Sequence, residues 1–149
     1  DKYQTASKSA LANYSFFMGT SNENYDEVMK TDLYKICGLK IFMGSSTGNM
    51  LVDDEHILSR IFANFPGLIA THCEDEATVK ANFEKYKKQY EGKVVPYDIH
   101  AIIRNEEGCF KSSEFASKLA KKREKSKNLF LTLTLLAKRK FAVTLMSIN

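Results

Sequence analysis

Short apolar runs alternate with amphipathic stretches along this chain. The apolar runs are rich in β-prone residues and predict strands at 11–19, 34–44, 68–73 and 128–136. The intervening stretches have polar starters and apolar residues at helical spacing, and they predict helices at 22–30, 53–64, 74–90 and 108–122. Residues 94–103, around Pro96, show neither pattern and are predicted to be irregular.

Strands that alternate with helices indicate an α/β fold built from parallel βαβ units. The strands are almost continuously apolar, which is typical of a sheet covered on both faces. A doubly wound sheet and part of a (β/α)₈ barrel both fit this order. A full barrel needs about 250 residues, so these 149 residues could supply only about half of one.

Two polar side chains stand out at the predicted strands. In the run GLKIFMG, alternation places Lys40 and Phe42 on one face and Leu39, Ile41 and Met43 on the other. A lysine inside an apolar strand is costly unless it is paired or chemically modified. The alternative is a lysine that extends its ammonium to solvent at the strand end.

His72 directly follows an apolar run and precedes a cluster of acids. It could be a core or capping histidine, or a metal ligand oriented by a nearby carboxylate. The acids at 74–76 fit the first turn of a helix, where the helix dipole favours them. His100 and Arg104 are further candidates, Arg104 for a carboxylate or a structural ion pair. His56 is predicted to lie on a helix surface, and the loop 44–49 is either an anion-binding loop or an ordinary one.

Composition narrows the class of protein. Hydrophobic residues make 44% and charged residues 27%, which are ordinary values for a soluble domain. We find no apolar run long enough for a membrane span and no signal peptide. The three cysteines form no C-x-x-C pair, so reduced thiols in a cytoplasmic protein are expected. Because residue 1 is Asp rather than Met, we expect the true beginning of the chain to be missing.

Four long runs resemble dihydroorotase, a member of the amidohydrolase superfamily. They are ANYSFFMGTSNEN (12–24), GLKIFMGSSTGNMLVDDE (38–55), IATHCEDEATVKANFEKYKKQY (69–90) and HAIIRNEEGCFKSSEFASKLAKK (100–122). The resemblance covers residues 1–122 and implies a partial (β/α)₈ TIM barrel of about three to four parallel βα units.

The resemblance also implies an activity. Dihydroorotases are cytoplasmic enzymes that interconvert carbamoyl aspartate and dihydroorotate in pyrimidine biosynthesis, and many use two zinc ions bridged by a carbamylated lysine. Lys40 matches that lysine and His72 matches a metal-binding histidine. Metal-bound water would attack the ring amide. A small-molecule substrate is therefore expected, with no nucleic acid or membrane partner; a homo-oligomer is compatible with this reading.

The chain also departs from the family. A His-x-His strand, a later histidine-bearing strand and a catalytic aspartate are absent, so we expect no activity from this chain alone. A non-catalytic half-barrel that binds a partner is the alternative.

The last part of the chain differs in charge from the rest. Residues 121–149 carry a net charge of +7, whereas residues 1–120 carry a net charge of −3. We interpret 123–149 as a divergent, frame-shifted tail, because the net charge changes sign where the resemblance stops. A coding run such as CTTACACTTACA, for example, would encode Leu-Thr-Leu-Thr and, one nucleotide later, Leu-His-Leu. The gene sequence decides this interpretation. A basic nucleic-acid-binding arm is not favoured, because the tail lacks interleaved aromatics.

Overall fold

A computed structural model describes residues 1–44, 46, 48–122, 130–136 and 140–146, the last two ranges by their backbone only. Within these residues there are six helices, five strands and one 3₁₀ turn at Leu33–Lys35. In chain order they are α1 (Lys2–Ala6), β1 (Phe17–Gly19), α2 (Tyr25–Met29), β2 (Gly38–Phe42), α3 (Glu55–Asn64), β3 (Ile69–His72), α4 (Glu76–Gln89), α5 (Asp98–Ile103), α6 (Glu106–Lys121), β4 (Phe130–Leu136) and β5 (Lys140–Met146).

The five strands form one sheet in the order β1-β2-β3-β4-β5. The first four run parallel, and β5 pairs antiparallel with β4. The predicted parallel βα units are therefore confirmed, and the alternation of strands and helices matches a segment of a barrel. Within the described ranges the sheet is open, because the pairing runs from β1 to β5 and does not return.

The hydrophobic core lies on one face of this sheet. Leu39, Ile41 and Ile69 are at most 2% exposed and belong to one cluster with Phe62 of α3 and Ala116 of α6. Packing these side chains away from water is what attaches the helices to the sheet. The predicted alternation within β2 is thus confirmed.

The expectation of a sheet covered on both faces is wrong for β2. Lys40 and Phe42, on the face opposite the cluster, are only partly buried. In a barrel, one face of each parallel strand packs on helices and the other turns toward the barrel interior, so both faces can be apolar without helices on both sides. The open face described here is the one that carries polar side chains.

The structure corrects the predicted strand at 11–19. Only its last three residues pair in the sheet, because Tyr14 and Phe16 pack on Tyr3 of α1, with ring centroids 5.8 Å and 4.9 Å from the Tyr3 ring. The Tyr3 hydroxyl also donates a hydrogen bond to the Lys35 carbonyl over 2.7 Å. An aromatic cluster between distant segments has no periodic signal in the sequence.

Two further predictions fail around α5 and α6. The segment predicted to be irregular contains α5, which Ile99 anchors with 7% exposure. The apolar residues of the helix predicted at 108–122, Phe110 included, are expected to face inward, but Phe110 is 69% exposed, and Cys109 and Ser112 lie on the buried side instead. Phe110 lies nine residues before the buried Leu119, which is about half a turn around the helix, so it falls on the opposite side.

The predicted fourth strand is present as β4, and β5 was not predicted. The interpretation of 123–149 as a frame-shifted tail remains a prediction, because its side chains and the segments between its strands lie outside the described residues. Among the described residues no helix has the length and apolar character needed to cross a membrane.

Candidate functional site

Strand register brings Lys40, Phe42 and His72 to one face of the sheet. Phe42 is the direct partner of His72 across the β2–β3 pair, and Lys40 lies two residues earlier on β2. The Lys40 ammonium sits 4.9 Å from the centre of the Phe42 ring, and that ring lies 5.7 Å from the His72 imidazole. Lys40 and His72 were the two main site predictions, and the structure places them around one aromatic ring.

Burial changes the chemistry of Lys40. Loss of water around its ammonium lowers the pKa of Lys40, and the nearby Cys73 thiol partly opposes this shift. A lowered pKa increases the fraction of neutral amine, which is the form that reacts with CO₂. The strand is held in place here by the Thr20 hydroxyl, which donates to the Lys40 carbonyl over 3.0 Å.

His72 faces a buried carboxylate. Its Nε2 lies 3.5 Å from Oε2 of Glu74, and the side chains are 16% and 5% exposed, respectively. Nη2 of Arg104 lies 3.7 Å from the same oxygen. The Arg104 guanidinium offsets the cost of burying this carboxylate. Arg104 was predicted either to bind a carboxylate or to form a structural ion pair, and the structure shows an ion pair with Glu74 beside the candidate histidine.

The position of Glu74 differs from expectation. It precedes α4 instead of belonging to its first turn: Asp75 is the N-cap and accepts a hydrogen bond from the Thr78 amide over 2.9 Å. Glu76 is the acid of the first turn. A Cβ at Gly44 would overlap the Glu74 carbonyl, so the loop after β2 packs directly on this junction. The sequence signal was available only as three consecutive acids, which do not reveal which one turns inward.

The other predicted residues lie elsewhere. His100 is exposed on α5, where it stacks on Tyr97 with ring centroids 6.5 Å apart, and the contacts found for it do not reach His72. His56 is exposed on α3, as predicted. The loop 44–49, predicted to be either an anion-binding loop or an ordinary one, includes residues 45 and 47, which lie outside the described residues.

The donor set does not fit a complete zinc centre. Within the residues that the structure describes, no three His, Cys, Asp or Glu side chains come together at metal-binding separation. Lys40 and His72 would contribute two groups, whereas catalytic zinc takes three protein ligands and structural zinc takes four. The expected pair of zinc ions therefore needs ligands beyond those described.

Comparisons with known proteins identify solved structures with a similar fold. Neither protein-family models nor curated proteins give a match to this sequence. Among solved structures, the chain is similar to the L-hydantoinase (dihydropyrimidinase) from Arthrobacter aurescens, with 17% identity and a TM-score of 0.73. It is also similar to the dihydropyrimidinase from Brevibacillus agri, with 18% identity and a TM-score of 0.67.

Both likenesses cover 87% of this chain but only 29% of the solved chain. A D-hydantoinase from a Bacillus species gives the same coverage at 18% identity and a TM-score of 0.65. At these identities the comparisons show a shared fold and nothing finer. The described part of the chain therefore has the architecture of a segment of these hydrolases.

Proposed function

We propose that this chain forms part of a dihydroorotase-like hydrolase of cyclic amides, which interconverts N-carbamoyl-L-aspartate and dihydroorotate in pyrimidine biosynthesis. One observation carries the proposal: Lys40 and His72 share a face toward the carboxyl ends of neighbouring parallel strands. Active sites of (β/α)₈ enzymes lie at this end of the barrel. Hydantoinase and dihydropyrimidinase belong with dihydroorotase to the amidohydrolase superfamily, so the fold likeness supports the class.

The choice of dihydroorotase within that class rests on sequence. The runs at 38–55 and 69–90 resemble that family and contain Lys40 and His72 at matching positions. The substrate would be a small molecule, and we place the whole enzyme in the cytoplasm; a homo-oligomer is compatible with this proposal. These finer statements are part of the proposal.

The residues of this chain have definite roles in it. Lys40 in its neutral form adds to CO₂ through its Nζ, a carbamate forms and a proton leaves. Partial burial supports this step, because loss of water around the ammonium lowers the pKa of Lys40. His72 presents an imidazole on the same face. No step is assigned to zinc, because the described donors do not complete a site for it.

A non-catalytic half-barrel is the second candidate function. The incomplete donor set favours it, because the described residues bring fewer ligands together than catalytic zinc requires. In this reading the open face of the sheet binds a partner, and Lys40 and His72 are relics of a site.

A graft separates the two candidates. Residues 38–122 replace the corresponding segment of an active bacterial dihydroorotase, and cyclisation of carbamoyl aspartate is measured beside hydrolysis of hydantoin. The proposal predicts turnover of carbamoyl aspartate by the chimera. A folded chimera that turns over hydantoin alone would correct the substrate, and one that turns over neither would favour the non-catalytic module.

A further inference from the structure

Glu74 and Arg104 lie beside His72 without belonging to its strand. Glu74 sits at the β3–α4 junction and faces His72, and Arg104, which directly follows α5, faces Glu74. The ring nitrogen that faces the carboxylate is Nε2, 3.5 Å from Oε2 of Glu74. Arg104 approaches the same oxygen from another direction, with Nη2 at 3.7 Å.

The carboxylate is held in place more firmly than an ordinary surface acid. Its side chain is 5% exposed, and the carbonyl of the same residue packs on Gly44, where even a methyl group would not fit. The following residue, Asp75, caps α4 and donates its amide to the Gly108 carbonyl over 3.0 Å. Backbone contacts on both sides therefore fix the Glu74 backbone, from which the carboxylate extends toward His72 and Arg104.

We propose that Glu74, itself held by Arg104, is a positioning residue that fixes the orientation and the tautomer of His72. At 3.5 Å the two groups are at ion-pair rather than hydrogen-bond distance, and a carboxylate attracts a proton on the nitrogen that faces it. The pair therefore keeps the proton on Nε2 and leaves the lone pair of Nδ1 for the open face of the sheet. A partner of this kind sets which imidazole nitrogen is available to a ligand.

The inference deepens the proposed function, because it rests on the site role given to His72. Its test is nonetheless independent of activity, since it uses the full chain without metal or substrate. The chain has three histidines, so replacing His56 and His100 with Gln leaves a single imidazole. Long-range ¹H–¹⁵N correlation then reports which nitrogen of His72 is protonated, and saturation transfer from water reports how fast that proton exchanges.

We expect one tautomer with the proton on Nε2 and slow exchange with water. In Glu74→Gln the exchange rate should rise about tenfold, because the neutral amide removes the negative charge that attracts the Nε2 proton. Arg104→Gln, which leaves Glu74 in place, should give a smaller increase in the same direction. Glu76→Gln removes the same charge two residues further along, in the first turn of α4. It should leave the exchange rate of the His72 proton unchanged.

Three results would overturn the inference. The first is a proton on Nδ1. The second is a Nε2 proton whose exchange is the same in Glu74→Gln and in the parent. The third is a His72 imidazole proton that exchanges with water as fast as those of the exposed His56 and His100 in the unsubstituted chain. A chain in which the site does not form would give this third result. None of these results depends on whether the grafted enzyme is active.

Discussion

The ion pair between Arg104 and Glu74 should stabilise the fold more than a shorter ion pair at the surface does. Lys118 and Glu114 of α6 approach to 3.0 Å, closer than the 3.7 Å of Arg104 and Glu74, but both of those α6 side chains are at least half exposed. Water screens an exposed pair, which is worth about 0.3–0.5 kcal/mol on a helix. The Glu74 carboxylate is 5% exposed, so its charge depends on protein partners.

Replacing Arg104 with Met should therefore cost more stability than replacing Lys118 with Met. A buried polar group that loses a partner costs about 1–3 kcal/mol, and more when it is charged. The Arg104 side chain is itself 37% exposed and thus partly screened, and His72 stays beside the carboxylate, so we expect about 1–2 kcal/mol. The matched Lys118→Met change should cost about 0.5 kcal/mol or less.

Urea unfolding of the two variants and the parent chain measures this difference. Adding Glu74→Gln to Arg104→Met should recover part of the loss, because a neutral amide costs less to bury than an unpaired carboxylate. Equal losses for Arg104→Met and Lys118→Met would refute the reasoning, since burial of Glu74 would then have no energetic consequence.

Three further predictions concern the core, the thiols and the activity. Ile41→Ala should lower the free energy of unfolding by about 2–5 kcal/mol, whereas Leu11→Ala, at a fully exposed position, should leave it unchanged in urea titration. Burial raises the pKa of the Cys109 thiol, so the folded state binds this proton more tightly than the unfolded chain does. The free energy of unfolding should therefore fall as pH rises above about 8.5, where thiols of the unfolded chain ionise. In Cys109→Ala this free energy should fall less steeply with pH, which urea denaturation across that pH range measures. The 149-residue chain should not cyclise carbamoyl aspartate even with added zinc, and turnover above that of the Lys40→Ala and His72→Ala variants would contradict this.

Hydrophobic alternation and helical spacing predicted the strands and helices whose positions depend on residues close together in the sequence. Residues 38–42 and 69–72 form strands and 55–64 forms a helix, close to where alternation and helical spacing placed them. The face shared by Lys40 and Phe42 also followed from alternation alone. His72 joins that face because parallel strands align their carboxyl ends.

The remaining features depend on contacts between distant segments. Glu74 turns inward because Arg104 and His72 meet it there, and neither contact has a periodic signature. The inward position of Glu74 is set by these neighbouring elements, which a single sequence does not encode locally. Phe110 is different: it lies nine residues before the buried Leu119, about half a turn around α6, so helical spacing itself places it on the outer side.

The turnover number of the grafted dihydroorotase tests the central claim most directly. Lys40→Met and His72→Asn in the chimera should each lower kcat at least about a hundredfold, since even residues that only support metal ligands are worth ten- to a hundredfold. Lys87→Met and His56→Asn make the same chemical changes at exposed positions and should leave kcat within about twofold of the chimera. If Lys40→Met and His72→Asn were as active as these controls, Lys40 and His72 would not be site residues and the account would be wrong.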